Sequence, residues 1–107
     1  FIEQIMVVGE NQKFPAALIV PAMPALKAWC EKENVPCALD HPRVRALFDG
    51  EVRKYNERLA QYEKIKKYAL LPDEWTIDGN ELTPTLKLKR RVLQQKYADQ
   101  IAAFYAE

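Results

Sequence analysis

Two kinds of apolar pattern alternate along this chain. Residues 1–8 and 16–20 are nearly continuous apolar runs rich in Val and Ile, which is typical of buried β-strands. The connection between them, residues 9–15, is too short for a helical crossover, so this strand pair is predicted to be antiparallel. A third strand is predicted from Ile65 to Leu71, where Pro72 bounds another apolar run.

Elsewhere the apolar residues recur every three or four positions, as they do in amphipathic helices. One helix is predicted from Pro24 to Asn34, and another from about Lys89 to Tyr105. The clearest helix begins near Arg43, with an apolar stripe of Val44, Leu47, Phe48, Val52, Tyr55, Leu59 and Tyr62. Short strands without regular strand–helix alternation predict a compact α+β domain of about three antiparallel strands and about three helices.

The stretch from Glu81 to Arg90 combines a proline turn with a cluster of cations. An Asp-Gly-Asn sequence, which favours tight turns, delivers the chain to it. Pro84 fixes its own φ and biases Thr83 towards an extended conformation. Lys87 is therefore predicted to lie on a short, stiff approach to the last helix. From the residues alone, this cation could meet a phosphate, a carboxylate or only water.

Length and charge bound the possible functions. The 107 residues make one domain. Sixteen basic and fifteen acidic residues leave a net charge of +1, which predicts no strong general attraction to nucleic acid or acidic membranes. The three glycines are too far apart for a phosphate-binding loop. The apolar runs are shorter than the roughly 20 residues that span a bilayer.

Cys30, Cys37 and His41 have a Cys-x6-Cys-x3-His spacing that contains three potential zinc ligands. Structural zinc sites usually show tighter Cys pairs, so no metal is expected here, and the cysteines are predicted to be reduced thiols. His41 is predicted at a helix start, beside Asp40 as the cap and ahead of Pro42 in the first turn.

The Leu-Thr-Pro-Thr-Leu-Lys-Leu-Lys-Arg block from Leu82 to Arg90 resembles the C-terminal domain of bacterial long-chain fatty acyl-CoA synthetases, which are adenylate-forming AMP-binding enzymes. The resemblance extends over nearly the whole chain. It includes the Tyr-Glu-Lys-Ile-Lys-Lys run at residues 62–67, Trp75-Thr76, residues 97–105 and the two opening strands. The wider superfamily has Ser-Gly-Lys where this chain has Thr85-Leu86-Lys87, a form typical of the long-chain branch.

The resemblance implies that residues 1–107 are a mobile lid domain, and that an N-terminal ATP- and fatty-acid-binding domain and the hinge lie outside them. Lys87 would be the catalytic lysine that contacts the substrate carboxylate and the adenylate. The domain would then rotate so that coenzyme A can attack the acyl-adenylate. ATP and CoA as co-substrates, with Mg2+, would be bound mainly by the N-terminal domain, so the isolated chain is expected to be inactive.

The partners implied by this resemblance are the enzyme's own N-terminal domain, the fatty acid, ATP and CoA, without nucleic acid. The implied location is cytoplasmic, with peripheral association of the full-length enzyme at the inner face of the membrane as an option. The residues that contact CoA and the preferred acyl-chain length are not assigned.

Two other classes of function stay open at this point. The segment from Leu86 to Arg91 could form a small nucleic-acid-binding surface, although the near-neutral charge and the lack of a broad basic face argue against it. The chain could also be a protein-interaction module. Lys89, Arg90 and Arg91 are interpreted as surface or docking charges. Four aromatic residues are predicted to be core rather than fatty-acid contacts, because aromatic stripes mostly fill interiors: Trp29, Tyr68, Trp75 and Phe104.

Overall fold

The computed structural model describes residues 1–9 and 12–106. Its elements are β1 (Ile2–Val8), β2 (Ala16–Pro21), α1 (Met23–Lys32), α2 (Pro42–Asn56), a 3-10 turn (Gln61–Glu63), β3 (Lys67–Leu70), α3 (Arg90–Lys96) and α4 (Ala98–Tyr105). The predicted α+β class and the three strands are confirmed. The predicted turn between β1 and β2 includes residues 10 and 11, which lie outside the described residues. None of the described helices has the length and hydrophobicity that a membrane span requires.

The three strands form one mixed sheet in the order β1-β2-β3. β1 and β2 are antiparallel, as predicted, with Ile5 opposite Ile19. The prediction of an entirely antiparallel sheet is wrong, because β3 runs parallel to β2, with Leu18 opposite Ala69. The chain leaves β2, passes through α1 and α2 and returns in the same direction, which is the long crossover that a parallel pair requires.

All six residues of the central strand β2 are buried, because both faces of the sheet are covered. On one face, Ala16, Leu18 and Val20 pack with residues from the C-terminal part of the chain: Leu71, Trp75, Leu82, Leu93, Tyr97 and Phe104. On the other face, Ala17 and Ile19 pack with residues of α1, α2 and the segment before β3: Leu26, Cys30, Val44, Phe48, Val52 and Ile65. The domain therefore has three layers, which explains why β2 is apolar without alternation.

Helix α2 begins at Pro42 and is capped by His41, whose Nδ1 accepts a hydrogen bond from the Arg43 backbone N–H at 3.1 Å. The predicted place of His41 at a helix start is thus confirmed. The prediction that Asp40 is the cap is wrong, since the capping acceptor is the imidazole of the following residue. A side-chain acceptor at this position satisfies one of the free N–H groups of the first turn.

The same helix ends at Asn56, earlier than its apolar stripe predicts. The Asn56 side chain accepts a hydrogen bond from the Ile65 N–H at 2.8 Å and donates one to the Ile65 carbonyl at 2.9 Å. This pairing draws the chain towards β3. Beyond it, the spacing of Leu59 continues the periodicity but not the helix.

The predicted C-terminal helix is divided into α3 and α4 at Tyr97, whose φ of −109° and ψ of 27° are not helical. Its apolar periodicity predicts an inner stripe of Val92, Leu93, Tyr97, Ile101 and Phe104. Of these, Leu93, Tyr97 and Phe104 are buried, and Ile101 packs partly buried against the same core. The Tyr97 hydroxyl accepts a hydrogen bond from Trp75 Nε1 at 3.3 Å. Trp75 and Phe104 are core residues as predicted, while Trp29 and Tyr68 pack partly buried against the core on the opposite face.

The two cysteines differ in exposure. Cys30 is buried in α1 and Cys37 is exposed. Burial, reinforced by a hydrogen bond with Cys37, raises the pKa of the Cys30 thiol to about 11. Among the described residues, no three His, Cys, Asp or Glu side chains are grouped so that they could hold a metal ion.

A thiol reagent at pH 8 should therefore label Cys37 rapidly and Cys30 slowly in the folded chain, because the reactive species is the exposed thiolate. Mass spectrometry should show labelling of one cysteine before unfolding and of both in concentrated urea. The Cys37→Ser variant should lose the fast labelling. Equal rates at both cysteines in the folded chain would contradict the burial of Cys30.

Candidate functional site

Residues 81–89 form a hairpin that we call the lysine hairpin. Leu82 and Leu88 form an antiparallel bridge. The Lys89 N–H donates to the Glu81 carbonyl at 2.9 Å, and the Thr83 N–H donates to the Lys87 carbonyl at 2.8 Å. The hairpin projects Lys87 at the end of its loop, just before α3.

The loop of the hairpin is closed around Thr83. The Leu86 N–H donates to the Thr83 carbonyl at 2.8 Å, and the Lys87 N–H donates to Thr83 Oγ1 at 3.0 Å. The Thr83 and Thr85 hydroxyl oxygens are 3.1 Å apart, in hydrogen-bond contact. Pro84 occupies the second position of this turn, where its fixed φ is favourable. The backbone that leads to Lys87 is therefore held by the threonine and proline residues of the motif.

The side chain of Lys87 is exposed, and its ammonium makes no hydrogen bond or ion pair with any described residue. Two neighbouring cations are engaged within the domain. Lys89 Nζ donates to Asn80 Oδ1 at 2.6 Å, and Arg90 donates to the Val7 carbonyl at 2.7 Å. Arg91, like Lys87, is exposed and has no side-chain partner among the described residues. The basic segment thus has fewer unengaged cationic side chains than its sequence suggests.

Glu81 anchors the base of the hairpin. Its side chain is buried, with the residue only 3% exposed. Oε1 accepts the Thr76 N–H at 3.1 Å, and Oε2 accepts Lys96 Nζ of α3 at 2.5 Å. This hydrogen bond raises the pKa of the Lys96 ammonium, although burial opposes the shift. The backbone N–H groups of Glu81 and Leu82 both donate to the Thr76 carbonyl, at 3.1 and 3.2 Å.

The Asp-Gly-Asn turn precedes this anchor as predicted, with the Asn80 N–H donating to the Ile77 carbonyl at 3.0 Å. Its left-handed residue is Asn80, with φ of 63°, rather than the glycine. Gly79 is required by space: a Cβ there would lie 2.6 Å from Glu81 Oε1 and 2.9 Å from Thr76 Oγ1.

A second tether, unrecognised in the sequence, fixes Trp75. The Trp75 N–H donates to Gln4 Oε1 at 2.7 Å, and Gln4 Nε2 donates to the Trp75 carbonyl at 3.0 Å. The Gln4 side chain thereby imitates a strand pairing at the edge of β1. The sequence indicated this contact only through the presence of a polar residue, Gln4, inside an apolar strand. The role of Glu81 was also missed, although an acidic residue directly after a tight turn was visible.

The AMP-binding enzyme C-terminal domain family model matches residues 1–107, the whole chain. The chain belongs to this family. The match places the Thr-Pro-Thr-Leu-Lys hairpin within a domain whose family name refers to AMP, which agrees with the family expected from the sequence.

Long-chain-fatty-acid–CoA ligases are among the relatives of this AMP-binding C-terminal domain. The long-chain-fatty-acid–CoA ligase FadD15 of Mycobacterium tuberculosis is 34% identical over 110 residues, which cover 97% of this chain and 18% of the ligase. Long-chain-fatty-acid–CoA ligase 1 of Homo sapiens is 30% identical, covering 98% of this chain and 16% of that protein. The chain therefore spans less than a fifth of the length of these relatives.

Solved structures show the same fold. The adenylation domain of a carboxylate reductase from Mycobacterium chelonae superposes with a TM-score of 0.78 at 21% identity, over 99% of this chain and 16% of that one. A didomain of carboxylic acid reductase from Segniliparus rugosus, in complex with AMP, gives 0.75 at 22% identity, over 97% of this chain and 14% of that one. At these identities the likeness supports the fold alone.

Replacing Gly79 with Ala should destabilise the chain by about 1–2 kcal/mol, because the added methyl displaces the Glu81 carboxylate from its partners. Gly50→Ala is the matched control. No atom lies within 4 Å of a Cβ at Gly50, and in a helix interior this change should stabilise by about 1 kcal/mol. Urea unfolding measures both. The same sign for the two variants would contradict the tight contact at Gly79.

Lys96→Met should lower the free energy of unfolding by about 1–2 kcal/mol at neutral pH, because it leaves the buried Glu81 carboxylate without its cation. The effect is not larger because about half of the Lys96 side chain is exposed, so that solvent screens the ion pair. Lys87→Met, the control, should change it by less than about 0.5 kcal/mol, since the Lys87 side chain is exposed.

The pH dependence of this difference follows from the raised pKa of Lys96. The contribution of Lys96 is fully present below the usual lysine pKa of 10.5 and is lost as the pH rises through the higher folded value. The stability gap between wild type and Lys96→Met should therefore stay constant from neutral pH to about pH 10 and shrink above it. A gap that already shrinks towards neutral pH would refute the assignment.

Proposed function

We propose that this chain is the mobile C-terminal domain of an ATP-dependent long-chain fatty acid–CoA ligase, and that Lys87 is its catalytic lysine. The observation that carries the proposal is an exposed ammonium, without a partner among the residues that the structure describes, at the end of a hairpin whose base is bonded into the domain. The family membership and the names of the relatives supply the reaction class.

The proposed reaction needs a cation at its first step. A carboxylate oxygen of the fatty acid forms a bond to the α-phosphorus of ATP, the bond from that phosphorus to the bridging oxygen breaks, and pyrophosphate leaves. Two anions approach each other while negative charge builds on the phosphate oxygens. The ammonium of Lys87, a compact charge on a long stem, would neutralise this charge and hold the carboxylate in line.

Several features of the described residues support this role. The Lys87 ammonium has no partner among the described residues, so its transfer to an anion breaks no bond to any of them. The backbone at Lys87 is held through Thr83, which limits the positions that the ammonium must search. Lys89 and Arg90 are already engaged with Asn80 and Val7.

The second half of the proposed reaction requires Lys87 to leave. We propose that the domain rotates as a body, and that the thiol of CoA then attacks the acyl carbonyl carbon, forming the thioester and releasing AMP. Such gating steps are common in enzymes that use one active site for two reactions. The residues that contact CoA are not assigned to this chain.

We propose that this chain alone binds neither ATP nor Mg2+. Among the residues that the structure describes, no three His, Cys, Asp or Glu side chains are grouped so that they could hold an ion, and Mg2+ is proposed to be held by the remainder of the full-length enzyme. ATP, CoA and the fatty acid are proposed to bind mainly to the remainder of the full-length enzyme. Cytoplasmic location and peripheral membrane association stay predictions.

Lys87→Ala in the full-length enzyme should lower acyl-adenylate formation by about 100-fold or more, the usual effect of removing a group that stabilises developing charge. ATP–pyrophosphate exchange measures this step. Thioester formation from supplied acyl-adenylate and CoA should stay within a few-fold of wild type, because Lys87 has no part in it.

Arg91→Ala is the matched control, since Arg91 is also an exposed cation without a partner among the described residues. Both half-reactions should be retained in this variant. Full adenylation activity in Lys87→Ala would overturn the proposed role. Equal losses in the two variants would instead indicate a general electrostatic effect of the basic segment.

A further inference from the structure

Leu86, the residue directly before Lys87, has an unfavourable backbone conformation. Its φ is 65°, in the left-handed region that bulky L-residues rarely occupy. Leu86 is the last residue of the turn that begins at Thr83, and its N–H closes this turn by donating to the Thr83 carbonyl at 2.8 Å. Hairpin loops of this kind usually place Gly or Asn at the left-handed position. The chain therefore carries strain here that a glycine would remove.

The side chain of Leu86 gains little burial within the domain to offset this strain. It is 67% exposed, and Ile77 beside the same groove is 45% exposed. The groove has a volume of about 590 Å3. Three acidic residues, Glu3, Glu74 and Asp78, also line it, and no Lys or Arg is among the described residues that do. Two exposed apolar side chains, one of them on a strained backbone, in a groove that also carries three acidic residues indicate a surface that is covered in another state of the molecule.

Leu86 directly precedes Lys87 in the chain, and this adjacency indicates which surface covers Leu86. Consecutive Cα atoms are about 3.8 Å apart, so if Lys87 enters an active site in the preceding domain, Leu86 is brought against the wall of that site. This step rests on the proposed function. The relatives are more than five times the length of this chain, so most of the enzyme is available to provide the facing surface.

We propose that Leu86 and Ile77 form an apolar anchor that docks onto the ATP-binding domain of the same enzyme during adenylation. The facing surface is then an apolar recess bordered by basic side chains, complementary to the rim of Glu3, Glu74 and Asp78. Leu86 is a positioning residue: docking buries it and sets the depth at which Lys87 enters. Burial of the Leu86 side chain in the docked state offsets the free-energy cost of its left-handed backbone conformation.

The discriminating variant is Leu86→Gly in the full-length enzyme, because it relieves the strain and removes the anchor at once. Its melting temperature should be unchanged or higher, whereas its rate of ATP–pyrophosphate exchange should fall by about tenfold or more, since small misplacements of a catalytic group have large effects. The thioester half-reaction from supplied acyl-adenylate should stay within about twofold. Leu86→Met, which keeps an apolar side chain of similar size, should retain most of the exchange rate that Leu86→Gly loses.

Two matched controls test the surface. Tyr55→Ser removes a side chain that is also 45% exposed but lies on α2, on the opposite side of the sheet, and should leave both half-reactions unchanged. Glu74→Lys reverses a charge on the groove and should slow adenylation, while Asp73→Lys, outside the groove residues, should not. A Leu86→Gly enzyme with wild-type adenylation would overturn the anchor.

Lys87→Ala measured alongside separates the two ideas. Loss of adenylation in Lys87→Ala with none in Leu86→Gly refutes the anchor and leaves the proposed function standing. Retained adenylation in Lys87→Ala refutes the catalytic lysine itself. Loss of both half-reactions in Leu86→Gly, with a lowered melting temperature, shows a structural defect and also counts against the anchor.

Discussion

The geometry of the lysine hairpin depends on one buried carboxylate. Glu81 is held by the Thr76 N–H on one oxygen and by the Lys96 ammonium on the other. Because a buried charge is costly unless it is paired and hydrogen-bonded, these bonds restrict where residue 81 can lie. They join the loop after β3, the hairpin and α3 at one point. The approach of Lys87 to any partner therefore starts from a fixed base.

The lysine hairpin and the helices α1 and α2 lie on opposite faces of the sheet. One face of the sheet carries α1 and α2, and the other carries α3, α4 and the lysine hairpin. Most cations in or near the hairpin are bonded within the domain: Lys96 pairs with Glu81, Lys89 donates to Asn80 and Arg90 donates to the Val7 carbonyl. The charge of Lys87 remains available. This distribution also weakens the nucleic-acid alternative, since a contiguous basic face would need those cations to be free.

The sequence predicted the elements formed by local patterns and missed those made by distant contacts. The apolar run of β2, the stripe of α2 and the Thr-Pro-Thr turn are local, so the residues alone indicate them. The parallel pairing of β3 depends on a crossover through two helices. The end of α2 depends on Asn56 and Ile65, which meet only in the folded chain. The position of Lys87 on a short, proline-bounded loop was predictable from its motif, whereas the Glu81 anchor was not.

The structure also bears on how Lys87 could enter and leave an active site. A loop that opens by itself must break its own hydrogen bonds. Here the hairpin is bonded at its base to Thr76 and Lys96, and its loop is closed through Thr83. Independent opening of the hairpin would disrupt the buried Glu81 carboxylate, whereas movement of the whole domain about a hinge leaves these bonds intact. Under the proposed function, the bonding of the hairpin therefore favours rigid-body rotation over loop closure as the way to present and withdraw the ammonium.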